Sequence, residues 1–305
     1  MQALRINSYG GPEVARLEDV PLPEPKDGEI LVRVKAAGVN PVDWKIRQGD
    51  MAFLNLQFPV TLGCDLAGTV ENGAGSFQAG DEIYAYTALT RNGAFAEYAI
   101  ALPSEVALKP KTLGFFEAAS VPVAALTAWQ ALFETGSLQS GQKILIHGAG
   151  GSVGAMAVQF AKQKGAHVIG TASGPNLDYI RKIGADETVD YKTERFEDKV
   201  QDVDFVFDTI GGETQERSFS VLRDGGTLIS TVQPPSQDRA KQRGIQSSMM
   251  GVVPNGATLA ELSKLIDSGK LVTRIDSMFP LSKALDALAL SESRKAKGKI
   301  VIDMG

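Results

Sequence analysis

Histidine and cysteine are nearly missing from this chain, at two and one in 305 residues. A single cysteine excludes an internal disulfide, and a zinc site built from Cys and His would have at most three such side chains to draw on. There is no surplus of positive charge. Lys and Arg number 31 against 36 Asp and Glu, a formal net charge of -5, so the long-range field repels phosphate backbones and anionic lipid and nucleic acid is not an expected partner. The opening MQALRINSYGG lacks the basic start, apolar stretch and small-residue cleavage site of a secretory signal. The longest nearly apolar run, Ala118 to Trp129, is interrupted by Ser120, Pro122 and Thr127 and falls well short of the roughly 20 residues a membrane helix needs. A cytoplasmic protein with no membrane partner is expected. What is present, 43% hydrophobic and 22% charged residues, is the composition of a folded soluble protein, and the length sets a prior of about two domains.

Up to about Pro110 the pattern is one of short strands between glycine and proline turns. Ile30, Val32 and Val34 alternate with Leu31, Arg33 and Lys35, the period of two that suits a half-buried strand. Similar strands are expected over 61–71 and 93–102, giving a small barrel-like β domain. From about Phe115 the period turns helical and runs to Gly136. KILIHG, AHVIGT and DVDFVFDT then read as strands apolar on both faces, alternating with helices that begin at GSVGAMAVQFAKQKG, NLDYIRKIG and GETQERSFSVL. That alternation predicts an α/β unit with a doubly wound parallel sheet. QPPSQDRAKQRG, 233–244, is polar and aperiodic and reads as a loop. ATLAELSKLIDSG is an amphipathic helix, and the tail from Ser277 gives strand, helix and strand, ending in KIVIDM.

Between KILIH and the next helix stands a glycine at every third position: Gly148, Gly151 and Gly154, with Ser152 and Val153 opening the helix. A strand-to-helix turn without side chains lets the backbone approach a pyrophosphate, the helix N-terminus offers N–H groups and partial positive charge, and the last glycine permits close packing of helix on strand. In an NAD site an acidic residue about 20 residues further on holds the ribose hydroxyls. Thr171, Ala172 and Ser173 stand there instead, and the next carboxylate along the chain is Asp178. Thr171, Ser173, Asn176 and Tyr191 offer hydrogen bonds in its place, so NADPH is favoured over NADH.

AAGVNPVDWKIRQG, FPVTLGCDLAGTV, AGDEIYAY, NGAFAEYA, VPVAALTAWQALF, HGAGGSVG, FDTIGG and GKIVID occur in the order found in the medium-chain dehydrogenases/reductases. The chain resembles their zinc-free quinone oxidoreductase and enone reductase branch, the zeta-crystallin-like proteins, over nearly its whole length. The resemblance implies a GroES-like β-barrel catalytic domain, residues 1–115 completed by about 277–305, a Rossmann domain over 116–276, and a homodimer. It also places Asn40, Cys64 and Val123 where the zinc alcohol dehydrogenases carry their catalytic zinc ligands, so a metal-free mechanism is expected. Thr127 and Ile210 fall where the family approaches the nicotinamide.

Such a branch transfers a hydride from NADPH to a small quinone or enone. Charge then develops on the substrate oxygen, and a hydrogen-bond donor can stabilise an enolate without a metal. The candidates cluster in NPVDWK. Asn40 either touches ribose or substrate or makes an Asn-Pro turn. Lys45, which resembles the lysine of the enone reductases, either stabilises the enolate and donates a proton or is solvated beside Arg47. Asp43 either orients Lys45 or caps the turn. Tyr84, Tyr86 and Asn255 are further candidates. Two other readings stand beside this one: reduction of another activated alkene such as an enoyl thioester, and a non-catalytic NADPH-binding structural or regulatory protein. A short-chain dehydrogenase is disfavoured because no Tyr-x-x-x-Lys occurs.

Overall fold

A computed structural model describes residues 1–305. Its backbone divides into two units, Met1–Val123 with Val253–Gly305, and Ala124–Val252. No helix is long and apolar enough to cross a membrane.

The first stretch carries β1 (Gln2–Ile6), β2 (Ala15–Asp19), β3 (Ile30–Val39), α1 (Pro41–Gln48), β4 (Val60–Thr61), β5 (Asp65–Asn72), β6 (Glu82–Tyr86), β7 (Tyr98–Ala101), β8 (Val106–Leu108), α2 (Phe115–Ala119) and α3 (Pro122–Trp129). Strands β2-β1-β4 make a small sheet, and β3, β5, β6 and β8 pair antiparallel in a larger one, with β7 also on β3. The alternation in β3 holds only from Val32 to Lys35, where Val32 and Val34 are buried, Arg33 is exposed and Lys35 is half-buried; Leu31, expected on the outer face, is buried with Ile30. Beyond Ala36 every residue of the strand is buried, because α2 covers β3 and β5. Leu4, Ile6, Val32, Leu66, Ile83 and Phe95 lie in the core.

The second unit is a single sheet of six parallel strands: β9 (Lys143–Ile146), β10 (His167–Ala172), β11 (Glu187–Asp190), β12 (Val203–Asp208), β13 (Leu222–Ser230) and β14 (Gln246–Met249), interleaved with α4 (Ser152–Gln163), α5 (Gly174–Lys182), α6 (Gly212–Ser218) and α7 (Gln237–Gln242). The spatial order is β11-β10-β9-β12-β13-β14. The direction of winding reverses between β9 and β12, and in sheets of this kind ligands bind outside the carboxyl ends of the strands at that reversal. The α/β doubly wound sheet expected from the alternation is present. The loop reading of 233–244 is corrected, since α7 lies inside it, started by Ser236, whose hydroxyl accepts the Arg239 N–H, and held down by the buried Ala240.

The chain then returns to the first unit with α8 (Gly256–Asp267), β15 (Ile275–Pro280), α9 (Ala284–Glu292) and β16 (Lys299–Asp303). Strand β16 pairs antiparallel with the end of β3, Ile300 opposite Val39. The division falls at Val253 and not near 277 because α8 also packs on the first unit. Gly256 lies so close to β8 that a Cβ there would stand 2.4 Å from the Val106 carbonyl oxygen.

Candidate cofactor and catalytic sites

The glycine loop leaves β9 at the reversal. Gly148 has φ of +69°, and a Cβ there would meet Thr209 Oγ1 at 2.4 Å, while one on Gly154 would meet the Gly148 carbonyl oxygen at 2.3 Å. Both positions therefore demand glycine, the first for conformation and space, the second so that α4 can sit on the loop. Gly151 caps α4 with no side chain in the way, its nearest neighbour for a Cβ being 3.4 Å off. Helix α4 starts at Ser152, so the N–H groups of Ser152, Val153 and Gly154 have no acceptor within the helix and are available to an anion. This cradle fits a dinucleotide pyrophosphate.

Two buried groups hold the cradle from behind. His147 Nδ1 lies 3.2 Å from Thr171 Oγ1 and Nε2 2.9 Å from Ser218 Oγ. Burial lowers its pKa to about 4, so the ring is neutral and structural. The Thr171 hydroxyl also accepts the Gly148 N–H at 3.3 Å, which commits this residue to supporting the loop. Sequence reading missed the second group, Asp208. Fully buried at the end of β12, its Oδ1 accepts the N–H groups of Ile210 and Gly211 at 2.9 Å each, and its Oδ2 accepts from Gln215 Nε2 at 3.0 Å and Ser230 Oγ at 2.9 Å. These bonds shape the TIGG turn beside the glycine loop and leave Ile210 46% exposed. An acid closing an otherwise apolar strand was the available signal.

At the end of β10, Ser173 is the half-buried N-cap of α5 and its hydroxyl makes no capping bond. Tyr191 is exposed there, its N–H on the Ala172 carbonyl at 3.2 Å. Asn176 is buried behind Gly150. Thr127 is buried on α3. The expectation that no carboxylate stands at this strand end needs correction. Parallel pairing sets Asp190 of β11 opposite Ala172, with Oδ2 3.1 Å from where a Gly174 Cβ would be.

In the first unit, the three positions likened to zinc ligands do come together, around a lysine. Asn40 is buried at the start of α1. Its Nδ2 donates to Asp65 Oδ2 at 2.9 Å and to the Gly38 carbonyl at 3.3 Å and lies 3.7 Å from Cys64 Sγ, while its Oδ1 accepts from Lys299 Nζ at 2.6 Å. Lys299 Nζ is also 2.7 Å from Asp65 Oδ2, and Asp65 Oδ1 accepts the Val123 N–H at 2.8 Å. The Asn40 carboxamide is thus spent inside the protein, which corrects its reading as a ribose or substrate contact. Asp43 accepts the Asn40 N–H at 2.7 Å. It closes the first turn of α1 and does not orient Lys45, which lies about 200° further round the helix. Burial pushes the Asp43 carboxyl up to about 7; its Oδ1 makes no hydrogen bond, and the residue also lines a pocket of about 10 Å³ with Gly63 and Arg91.

Zinc does not fit this donor set. Zinc takes thiolate, imidazole and carboxylate, whereas here stand a committed amide, a valine, and a Cys64 thiol that burial and the Asp43 and Asp65 charges keep protonated. No three His, Cys, Asp or Glu are arranged to hold a metal ion.

Lys45 is half-buried, its Nζ 5.8 Å from the centre of the Trp44 ring. Its neighbour Arg47 is not solvated; it is 1% exposed and paired with Glu292 at 2.9 Å. Tyr84 is fully buried, donating to the Leu259 carbonyl at 2.6 Å, and Tyr86 is buried on the same strand. Burial raises the pKa of both phenols. Asn255 caps α8, its Oδ1 accepting the Thr258 N–H at 3.0 Å.

Residues 26–111 match the alcohol dehydrogenase GroES-like domain family and residues 183–302 the zinc-binding dehydrogenase family. A chloroplast envelope quinone oxidoreductase homolog of Arabidopsis thaliana is 37% identical over 99% of this chain and 98% of its own. An NADPH-dependent alkenal/one oxidoreductase of the same plant is 34% identical over 99% of this chain and 79% of its own. The solved quinone oxidoreductase of Coxiella burnetii superposes with a TM-score of 0.92, at 33% identity, over 100% of this chain and 99% of its own.

Proposed function

The chain belongs to the quinone oxidoreductase branch of the medium-chain dehydrogenases/reductases, a group of NAD(P)H oxidoreductases, and from that membership we propose that it uses NADPH, without zinc, to reduce quinones or the C=C bond of α,β-unsaturated carbonyls. The observation that carries the reading is the glycine cradle at the reversal of the parallel sheet, locked by His147 and Asp208. When bound there, NADPH supplies the hydride. The chain's own residues would orient it and handle charge: the N–H groups at the α4 N-terminus would hold the pyrophosphate, and the exposed Ile210 of the TIGG turn would border the nicotinamide.

Hydride delivered to the β carbon moves an electron pair onto the carbonyl oxygen, and one proton completes the reduction. Lys45 is the group of the NPVDWK segment that can meet that oxygen, because the same segment's Asn40 and Asp43 are committed internally. Its ammonium stabilises the enolate or releases the proton.

The test is NADPH oxidation with a simple quinone and a simple enone. Lys45→Met is expected to lower kcat by about 10² to 10⁴ fold with little change in NADPH affinity. Lys45→Arg retains charge but no releasable proton, so activity kept in Arg assigns electrostatics and activity lost in both assigns proton donation. Unchanged turnover in Lys45→Met removes this residue from the mechanism. Tight NADPH binding with no turnover of either acceptor replaces the enzyme reading with that of a binding protein.

A further inference from the structure

Lys299 and Asp65 form an ion pair with side chains 2% and 0% exposed. Removing two charges from water costs several kcal/mol each, and a buried pair of this kind is often no more stabilising than apolar side chains of equal volume. Its value lies in what it specifies. The ammonium grips the Asn40 carbonyl oxygen at 2.6 Å while the carboxylate grips the Asn40 amide nitrogen at 2.9 Å. Turning the carboxamide over would set an NH₂ against a cation and an oxygen against an anion, so one orientation survives. The other carboxylate oxygen holds the Val123 N–H in the first turn of α3. The backbone makes room for the lysine: a Cβ on Gly38 would be 2.8 Å from Lys299 Cε. The pair therefore ties the end of β3 and the starts of β5 and β16 to the starts of α1 and α3; three ligands on a single ion at positions 40, 64 and 123 would tie the same segments apart from β16.

We propose that Lys299 and Asp65 are positioning residues for the reduction, an internal charge clamp that aims Lys45 by fixing the start of α1 among the three positions where related enzymes carry zinc ligands. The inference rests on the proposed function in that Lys45 is the group being aimed.

The paired variant Lys299→Met/Asp65→Asn removes both charges together and leaves an amide to meet Asn40. It is expected to keep its circular dichroism and its NADPH affinity within about twofold, while kcat falls about 10- to 100-fold, the size of effect a misplaced catalytic group produces. In a Lys45→Met background the same pair should cost less than about twofold, since nothing is left to aim. Full additivity of the two losses, or an unchanged kcat in the paired variant, overturns the inference.

A second measurement covers a paired variant that fails to fold. In ¹⁵N-lysine-labelled wild-type protein at neutral pH, Lys299 should give a slowly exchanging ammonium resonance, absent from Lys299→Arg, and the single substitution Asp65→Asn should move both it and the Lys45 resonance. No protected ammonium, or a Lys45 signal indifferent to Asp65, overturns the clamp. Wild-type protein that reduces neither a quinone nor an enone sinks the proposed function; the clamp then stands or falls on these resonances.

Discussion

At the scale of single residues, the ribose pocket shows where a linear reading stops. Scanning forward from Gly154, the chain offers no acid at the end of β10, and NADPH follows. Register supplies what scanning cannot, because Asp190 arrives from the neighbouring strand, beside Gly174. A carboxylate there opposes a 2'-phosphate. We therefore expect Asp190→Asn to tighten NADPH by about tenfold relative to NADH, and Ser173→Asp to weaken NADPH by about 1 to 3 kcal/mol, both read by fluorescence titration with the two cofactors. An unchanged ratio of affinities in Asp190→Asn would remove that residue from cofactor choice. Equal affinity for the two cofactors in the wild type would end the NADPH reading. Asn40 and Asp43 carry the same lesson: the type and spacing of NPVDWK offered three polar side chains as candidates, but only the fold shows that Asn40 and Asp43 face inward and that Lys45 does not.

Among elements, legibility followed burial. Strands β9, β10 and β12 have neighbours on both sides, are covered on both faces, and announce themselves as apolar runs. The edge strands β11 and β14 are ETVD and QSSM, half exposed, and carry no such signal; polar α7, with one buried residue, hides for the same reason. The contact of α4 with the glycine loop was legible from glycine spacing alone, and it is severe enough to test. Gly154→Ala drives a methyl to within 2.3 Å of the Gly148 carbonyl, so helix and loop must part. The expected cost is about 1 to 3 kcal/mol in urea unfolding, with weaker cofactor binding. Wild-type stability together with wild-type affinity would show that α4 does not press on the loop.

For the whole molecule, two buried titrating groups pull stability in opposite directions, one in each unit. His147 is held near 4 against 6.5 when unfolded, so only the unfolded chain takes up its proton in that window, and stability is lost as pH falls through it, by on the order of 3 kcal/mol. Asp43 is raised to about 7 from 3.8. The native chain holds that proton, and stability present below 3.8 is lost as pH rises toward 7, by on the order of 4 kcal/mol. The two slopes nearly cancel. Asp43→Asn should unmask His147 and steepen the rise of stability from pH 4 to 6.5 in urea titrations; a profile parallel to wild type would contradict this. The bond from Lys299 to Asp65 also spans 234 positions, and that separation has a meaning on the ribosome. At about 5 to 20 residues per second, Asp65 waits roughly 10 to 50 seconds for its counter-ion. During that interval the inserted parallel sheet can be completed while the earlier segment holds a carboxylate without its counter-ion, left to the Asn40 amide and the Val123 N–H, and a β3 edge with no β16. Stalled nascent chains ending shortly after Val253 should accordingly resist protease over 124–252 and be cut within 1–123. Equal protection of both stretches would mean that the first segment matures without its final strand.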